Sequence, residues 1–186
     1  MTDKILLPVA EATPENVAPF GHLIGSASGA ELMPLDYYKG AVRVSRPAPF
    51  SSEHPVELSL ASVDPRAPEV RYMERHFQHT QAFISFAGKS FVVVMAPPGT
   101  EDLPDLSKAC ALRFDGSAGF LMHVGTWHEF PFALEPDTDI VVILSDQTTR
   151  DLRNKQPDTE EAFGPDLDKK DIAARTGKLL CFAADG

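Results

Sequence analysis

The sequence predicts an all-β fold, a sandwich or barrel of short strands, on three observations. The 16 prolines and 12 glycines are spread along all 186 residues rather than gathered in one linker. The apolar runs between them are short enough to be strands and too short for buried helices. Two of them, Phe91-Val-Val-Val-Met95 and Ile140-Val-Val-Ile-Leu144, are apolar without interruption, so both faces of those strands should be covered.

In chain order, strands are expected at 40–45, 56–63, 80–86, 90–96, 109–114 and 139–145. Gly88-Lys89 lies between two strong runs and reads as a hairpin turn. Thr13-Pro14-Glu15-Asn16 offers a capping hydroxyl followed by proline in the first helical turn, so a short helix should run to about Phe20 and stop at Gly21. A second, polar helix is expected over 145–154, capped by Ser145 or Asp146. Residues 155–178 are polar and charged and read as an irregular, partly mobile arm, closing on the apolar patch Leu179-Leu-Cys-Phe182. The whole, 1–186, is expected to be one domain.

Charge narrows the partners. The 17 Lys+Arg against 27 Asp+Glu leave a net charge of −10, which argues against a nucleic-acid groove or an anionic membrane surface. A small acid is not excluded, because a local pocket can be positive within a negative protein. Cys110 and Cys181 are too few and too isolated for a disulfide framework or a zinc ribbon, and they read as reduced packing residues of a cytoplasmic protein. No stretch approaches the length of a membrane helix, and the first residues carry too short an apolar run for a signal peptide.

The chemistry should sit with the histidines. Four of the six fall in two windows, His76–His79 and His123–His128, each beside a strong strand. Imidazole is the usual acid/base near neutral pH and the commonest metal ligand. Strand alternation puts Glu74 and His76 on one face, and Gln81, Phe83 and Ser85 together on the next segment.

The spacing Glu74-Arg-His76, Gln81, then six residues to Gly88, with His123-Val-Gly125-Thr-Trp-His128 further on, resembles the two motifs of the cupins. Glu74 stands where the first motif has its first histidine, Gln81 where it has glutamate, and His123 in the proline place of the second. That pattern is similar to one cupin family, the ureidoglycolate lyases. The likeness is carried by Val44-Ser-Arg46-x-Ala-Pro49, Glu74-Arg-His76-x3-Thr80-Gln-Ala-Phe-Ile84, Phe91-Val-Val-Val94, Pro104-Asp-Leu-Ser107 and His123-x3-Trp127-His128, across roughly 40–145. His79 and Glu129 depart from the family pattern beside the presumed site, and their roles stay open.

The resemblance implies a cupin-type double-stranded β-barrel or jelly roll with a few short helices, a homodimer, and cleavage of ureidoglycolate to glyoxylate and urea in purine and allantoin breakdown. It admits a divalent metal (nickel, manganese or zinc) on Glu74, His76, Gln81 and His128, and calls for no organic cofactor. Breaking the C–N bond of this carbinolamide needs a base for the hydroxyl proton and an acid for the departing nitrogen. Base duty falls to His76 or His128, and Glu74 is either ligand or proton donor. Arg43 and Arg46 are candidate clamps for the substrate carboxylate, with Gln81, His123 and Trp127 as further candidate substrate contacts. Two other functions compete: a lyase, isomerase or hydrolase acting on a different small hydroxy or amido carboxylate, and a cupin that binds a ligand without catalysis. Retention of His76 and His128 favours an enzyme over a sensor.

Overall fold

The computed structural model describes residues 2–35 and 37–184. In chain order its elements are β1 (Asp3–Leu7), β2 (Val9–Glu11), α1 (Pro14–Val17), β3 (Gly21–Ile24), β4 (Val56–Val63), β5 (Glu69–Val70), β6 (Tyr72–Arg75), β7 (Gln81–Ser85), β8 (Phe91–Ala96), β9 (Cys110–Phe114), β10 (Gly119–Met122), β11 (Trp127–His128), β12 (Phe132–Ala133), β13 (Thr138–Ser145), α2 (Asp146–Asp151), β14 (Ala162–Gly164), β15 (Leu167–Asp171), α3 (Ile172–Thr176) and β16 (Lys178–Phe182). The all-β expectation holds, and the architecture is that of a cupin-like β fold. Its strands form separate sheets, not a closed barrel: a five-stranded sheet β3-β10-β7-β13-β4, a larger sheet β14-β15-β6-β11-β8-β9-β2 with β12 also on β8, and a three-stranded sheet β1-β16-β5.

Side-chain alternation along β8 shows how the layers stack. Phe91, Val93 and Met95 join Phe83, Phe120, Met122, Ile140 and Val142 in one core, between the five-stranded sheet and the large sheet. Val92, Val94 and Ala96 face the other way, into a second core with Val70, Trp127, Ile172, Leu180 and Phe182, beneath the three-stranded sheet. β8 is therefore covered on both faces, as its unbroken apolar run requires. β13 also buries its inner face, but its neighbour β4 leaves Leu58 73% and Leu60 59% exposed on the opposite side.

Both expected helices form. The Thr13 hydroxyl accepts from Asn16 N at 3.2 Å, and the Ser145 hydroxyl accepts from Gln147 N at 3.1 Å. α1 ends at Val17 and a turn carries the chain to Phe20. Three expectations are corrected. Residues 40–45 form no strand; Gly40 ends a 3-10 turn (Tyr38–Gly40), and the β pairing of the rest among the described residues is the isolated bridges Tyr37↔Val42 and Leu32↔Ser45. The Gly88-Lys89 turn is no hairpin, because β7 pairs with β10 and β13 while β8 pairs with β9, β11 and β12, so the turn passes from one sheet to the other. That crossover is tight: Gly116, at φ +84°, approaches so closely that a Cβ there would lie 2.3 Å from the Gly88 carbonyl carbon.

The third correction concerns 155–178. Residues 155–161 are irregular as expected, but from Ala162 the segment is ordered into β14, β15 and α3, and β15 extends the large sheet by pairing antiparallel with β6. The charges of β15 are matched: Asp168 with Arg75 at 3.0 Å, Asp171 with Arg71 at 2.8 Å, and Lys170 with Asp102, whereas Lys155, Asp158 and Glu160 are exposed. Among the described residues no helix is long and apolar enough to cross a membrane.

Candidate active site

One row across the large sheet builds the site. Lys169 of β15 pairs with Glu74 of β6, Glu74 with His128 of β11, and His128 with Met95 of β8. Directly paired residues share a face. Met95 belongs to the core between the two large sheets, so Glu74 and His128 face that interior as well. His76 lies just past the end of β6, and its carbonyl accepts from Gly125 N at 2.7 Å. Gly125, at φ +81°, makes the turn that returns the chain into β11 and so ties the two histidine segments together.

Glu74 Oε1 lies 3.8 Å from His76 Nε2 and 3.7 Å from His128 Nε2. One ligand atom from each of the three residues falls within 4.8 Å of the others. Hydrogen bonds set the tautomers. His128 Nδ1 lies 3.1 Å from Thr126 O and His76 Nδ1 3.3 Å from Asp166 O. A carbonyl only accepts, so each Nδ1 carries the proton and each Nε2 the lone pair. His79 Nδ1 donates to Asp166 Oδ2 at 2.8 Å, and its ring centroid lies 4.6 Å from that of His76. The Nε2 atoms of His76, His79 and His128 and the Oε1 of Gln81 are buried without a hydrogen-bond partner. Unpartnered buried acceptors cost free energy, and this set suits a cation or the donor groups of a substrate.

Burial dominates the electrostatics. It pushes Glu74 up to about 7, with nearby Glu129 adding to the rise and Lys169 opposing it. It lowers His128 to about 4, and it lowers His76 well below the ordinary imidazole value, helped by the neighbouring His128 and His79. The cluster is thus held neutral near pH 7, with Glu74 poised between acid and base.

A residue that the sequence reading missed organises this corner. Asp166 is fully buried; its Oδ1 accepts from Phe77 N at 3.1 Å and Gln78 N at 2.7 Å, and its Oδ2 accepts from His79 and, at 3.3 Å, from the Thr148 hydroxyl. Burial pushes this carboxyl up, but the bonds from His79 and Gln78 outweigh it and hold Asp166 well below the usual carboxylate range. Nothing in a lone Asp within a polar stretch marks such a role beforehand. Glu129, whose part was open, is held by Arg66 at 3.4 Å, with burial raising its pKa.

A cavity of about 140 Å³ opens onto the row, walled by Glu74, His128, Glu129, Phe130, Tyr72 and Lys169, among others. A larger cavity of about 510 Å³, near Arg66, Glu69 and Arg71, has none of the histidines in its wall. The structure brings Glu74, His76 and His128 together, and sets Gln81 on the inner face of β7, paired with the core residue Met122. It does not bring the other candidates to the cluster. Trp127 faces the opposite side of the sheet, under Arg75 at 4.5 Å, within the second core. His123 packs edge-on against His22 at 4.8 Å. Arg43 and Arg46 are exposed.

Fold and site together define a cupin-like β protein with a buried carboxylate–imidazole cluster of the kind enzymes use. The sequence model described as ureidoglycolate lyase matches residues 4–166. Similar curated proteins include the ureidoglycolate lyase of Pseudomonas aeruginosa (strain LESB58), 30% identical over 74% of this chain and 82% of its own length. Those of Pseudomonas putida (strain W619), 30% identical, and Pseudomonas syringae pv. tomato (strain ATCC BAA-871 / DC3000), 28% identical, each cover 74% of this chain and 83% and 81% of their own lengths. The chain belongs to the ureidoglycolate lyase family, and is an enzyme of the lyase class.

Proposed function

We propose that this enzyme cleaves ureidoglycolate to glyoxylate and urea, as a step of purine and allantoin breakdown in the cytoplasm. The observation that carries the reading is the buried Glu74–His76–His128 group, with unpartnered Nε2 atoms beside a small cavity, in a chain of this family. The reaction consumes no water. As the carbinol oxygen loses its proton and closes to a carbonyl, the C–N bond breaks and its electron pair leaves on nitrogen, which takes up a proton.

His76 and His128 each present a lone pair on Nε2 and can accept the hydroxyl proton. Glu74, with its acid form retained to about pH 7, can deliver a proton to the departing nitrogen. Phe130 and Tyr72 give this cavity an aromatic wall. The donor set also fits a divalent cation: Glu74, His76, His128 and Gln81 would hold nickel, manganese or zinc, and such an ion would supply Lewis acidity to the substrate's oxygens. A homodimer is proposed as well, supported by the exposed apolar face of β4.

The test is glyoxylate release from racemic ureidoglycolate, corrected for spontaneous decay. It is run on protein stripped with a chelator and on the same protein resupplied with nickel, manganese or zinc. Consumption of one enantiomer well above background is expected. No release from folded protein under any of these conditions would overturn the reading.

A further inference from the structure

The cavity beside the cluster has an electrostatic problem that its walls must solve. A small anionic acid has to approach two carboxyl groups, those of Glu74 and Glu129, either of which repels it when ionised. Glu129 already faces Arg66, whose guanidinium also donates to Phe130 O and Pro131 O at 2.8 Å each. Among the described residues that wall the cavity, Lys169 is the one lysine or arginine.

Its position follows from strand register. Lys169 sits opposite Glu74 in the β15–β6 ladder, on the same face as Glu74 and His128. Its Nζ lies 3.9 Å from Glu74 Oε2, longer than a hydrogen bond, and 5.9 Å from the centre of the Tyr72 ring. The side chain is 26% exposed, so the ammonium stands between the buried cluster and solvent. Its strand neighbours Asp168 and Lys170 point to the other face and are tied to each other at 3.2 Å. Lys169 is not spent in that network, and it lies beyond residue 166, where the family match ends.

We propose that Lys169 is the substrate-binding residue that anchors the carboxylate of the small acid in this cavity, holding its reacting carbon against Glu74 and His128. The anchor thus comes from β15, not from Arg43 or Arg46. An ammonium–carboxylate contact at the mouth of a partly desolvated cavity favours anions over neutral molecules of the same shape. The inference rests on the lyase reading only for the identity of the acid.

The experiment compares wild type, K169M and K169R in steady-state cleavage of ureidoglycolate. Calorimetric binding is measured alongside, with oxalurate, an uncleavable carboxylate of similar shape, and oxaluramide, its neutral amide. Wild type should prefer oxalurate. K169M should raise KM about 10- to 100-fold with a smaller change in kcat, and should lose the preference for oxalurate, whereas K169R should restore most of both. A purely structural role would weaken both probes alike, which would overturn the proposal. If wild type cleaves ureidoglycolate and K169M keeps its KM and its preference for oxalurate, the anchor is wrong and the lyase reading stands. If wild type cleaves nothing, yet K169M alone loses the preference for oxalurate, the anchor stands and the substrate assignment falls. If wild type binds neither probe and cleaves nothing, both fall.

Discussion

His76 and His128 offer their lone pairs to the same small volume because a backbone carbonyl takes the other nitrogen of each ring. Replacing either with alanine should lower kcat/KM by about 10²- to 10⁴-fold while leaving the far-ultraviolet circular dichroism unchanged; wild-type turnover in both variants would refute the site. The same burial makes the metal-free protein sensitive to pH. His128, at about 4 against an ordinary 6.5, takes its proton later than the unfolded chain does. Its contribution is complete above 6.5 and is lost as pH falls towards 4, by about 3 kcal/mol. Glu74, raised to about 7 from 4.5, runs the other way: its contribution is complete below 4.5 and is lost as pH rises through about 7. Urea unfolding from pH 4 to 8 should therefore show H128Q flattening the acid limb and E74Q flattening the opposing limb between 4.5 and 7.

Among elements, the segment after β6 depends on a carboxylate that arrives 90 residues later. Asp166 binds two backbone N–H groups, the His79 ring and the Thr148 hydroxyl, all of them buried or half-buried. D166A leaves those donors unmatched and should cost about 3 kcal/mol in urea unfolding, with a matching loss of affinity for any cation that His76 helps hold. Sequence reading reached half of this arrangement. The shared face of Glu74 and His76, and that of Gln81 and Phe83, is legible because residues two apart on a strand point the same way. β15 has no contrast between its faces: Leu167-Asp-Lys-Lys-Asp171 carries charge on both, since its outer charges pair with Arg75 and Asp102 while Lys169 faces the site. Composition alone therefore reads it as solvated arm. The opposite error arose at 40–45, where alternating Val42 and Val44 suggest a strand but no neighbouring strand supplies a ladder.

At the scale of the molecule, the outer face of the five-stranded sheet joins exposed Leu58 and Leu60 of β4 to Val141 and Ile143 of β13 in direct register. A patch of this kind on a chain of net charge −10 is a natural seat for a second copy. Analytical ultracentrifugation should show a dimer for wild type and monomers for the L58D/L60D variant; a wild-type monomer at micromolar concentration would refute it. The three-layer plan was legible in part, because the two unbroken apolar runs could be seen to need cover. What covers β8 could not be seen, because the covering sheet joins strands from opposite ends of the sequence.

That sheet, β1-β16-β5, sets the order in which the protein can be finished. Its middle strand is β16, and Leu7 lies beside Phe182 across nearly the whole chain. During synthesis, β1 and β5 must wait without the strand that joins them, and β6 presents a bare edge until β15 reaches it. Contacts so distant in sequence make for slow folding. A nascent chain stalled before residue 167 would keep its histidines but lack both Asp168, which holds Arg75, and the cation beside Glu74. Chaperones would meet that species first, and the active cavity would be among the last parts of the enzyme to close.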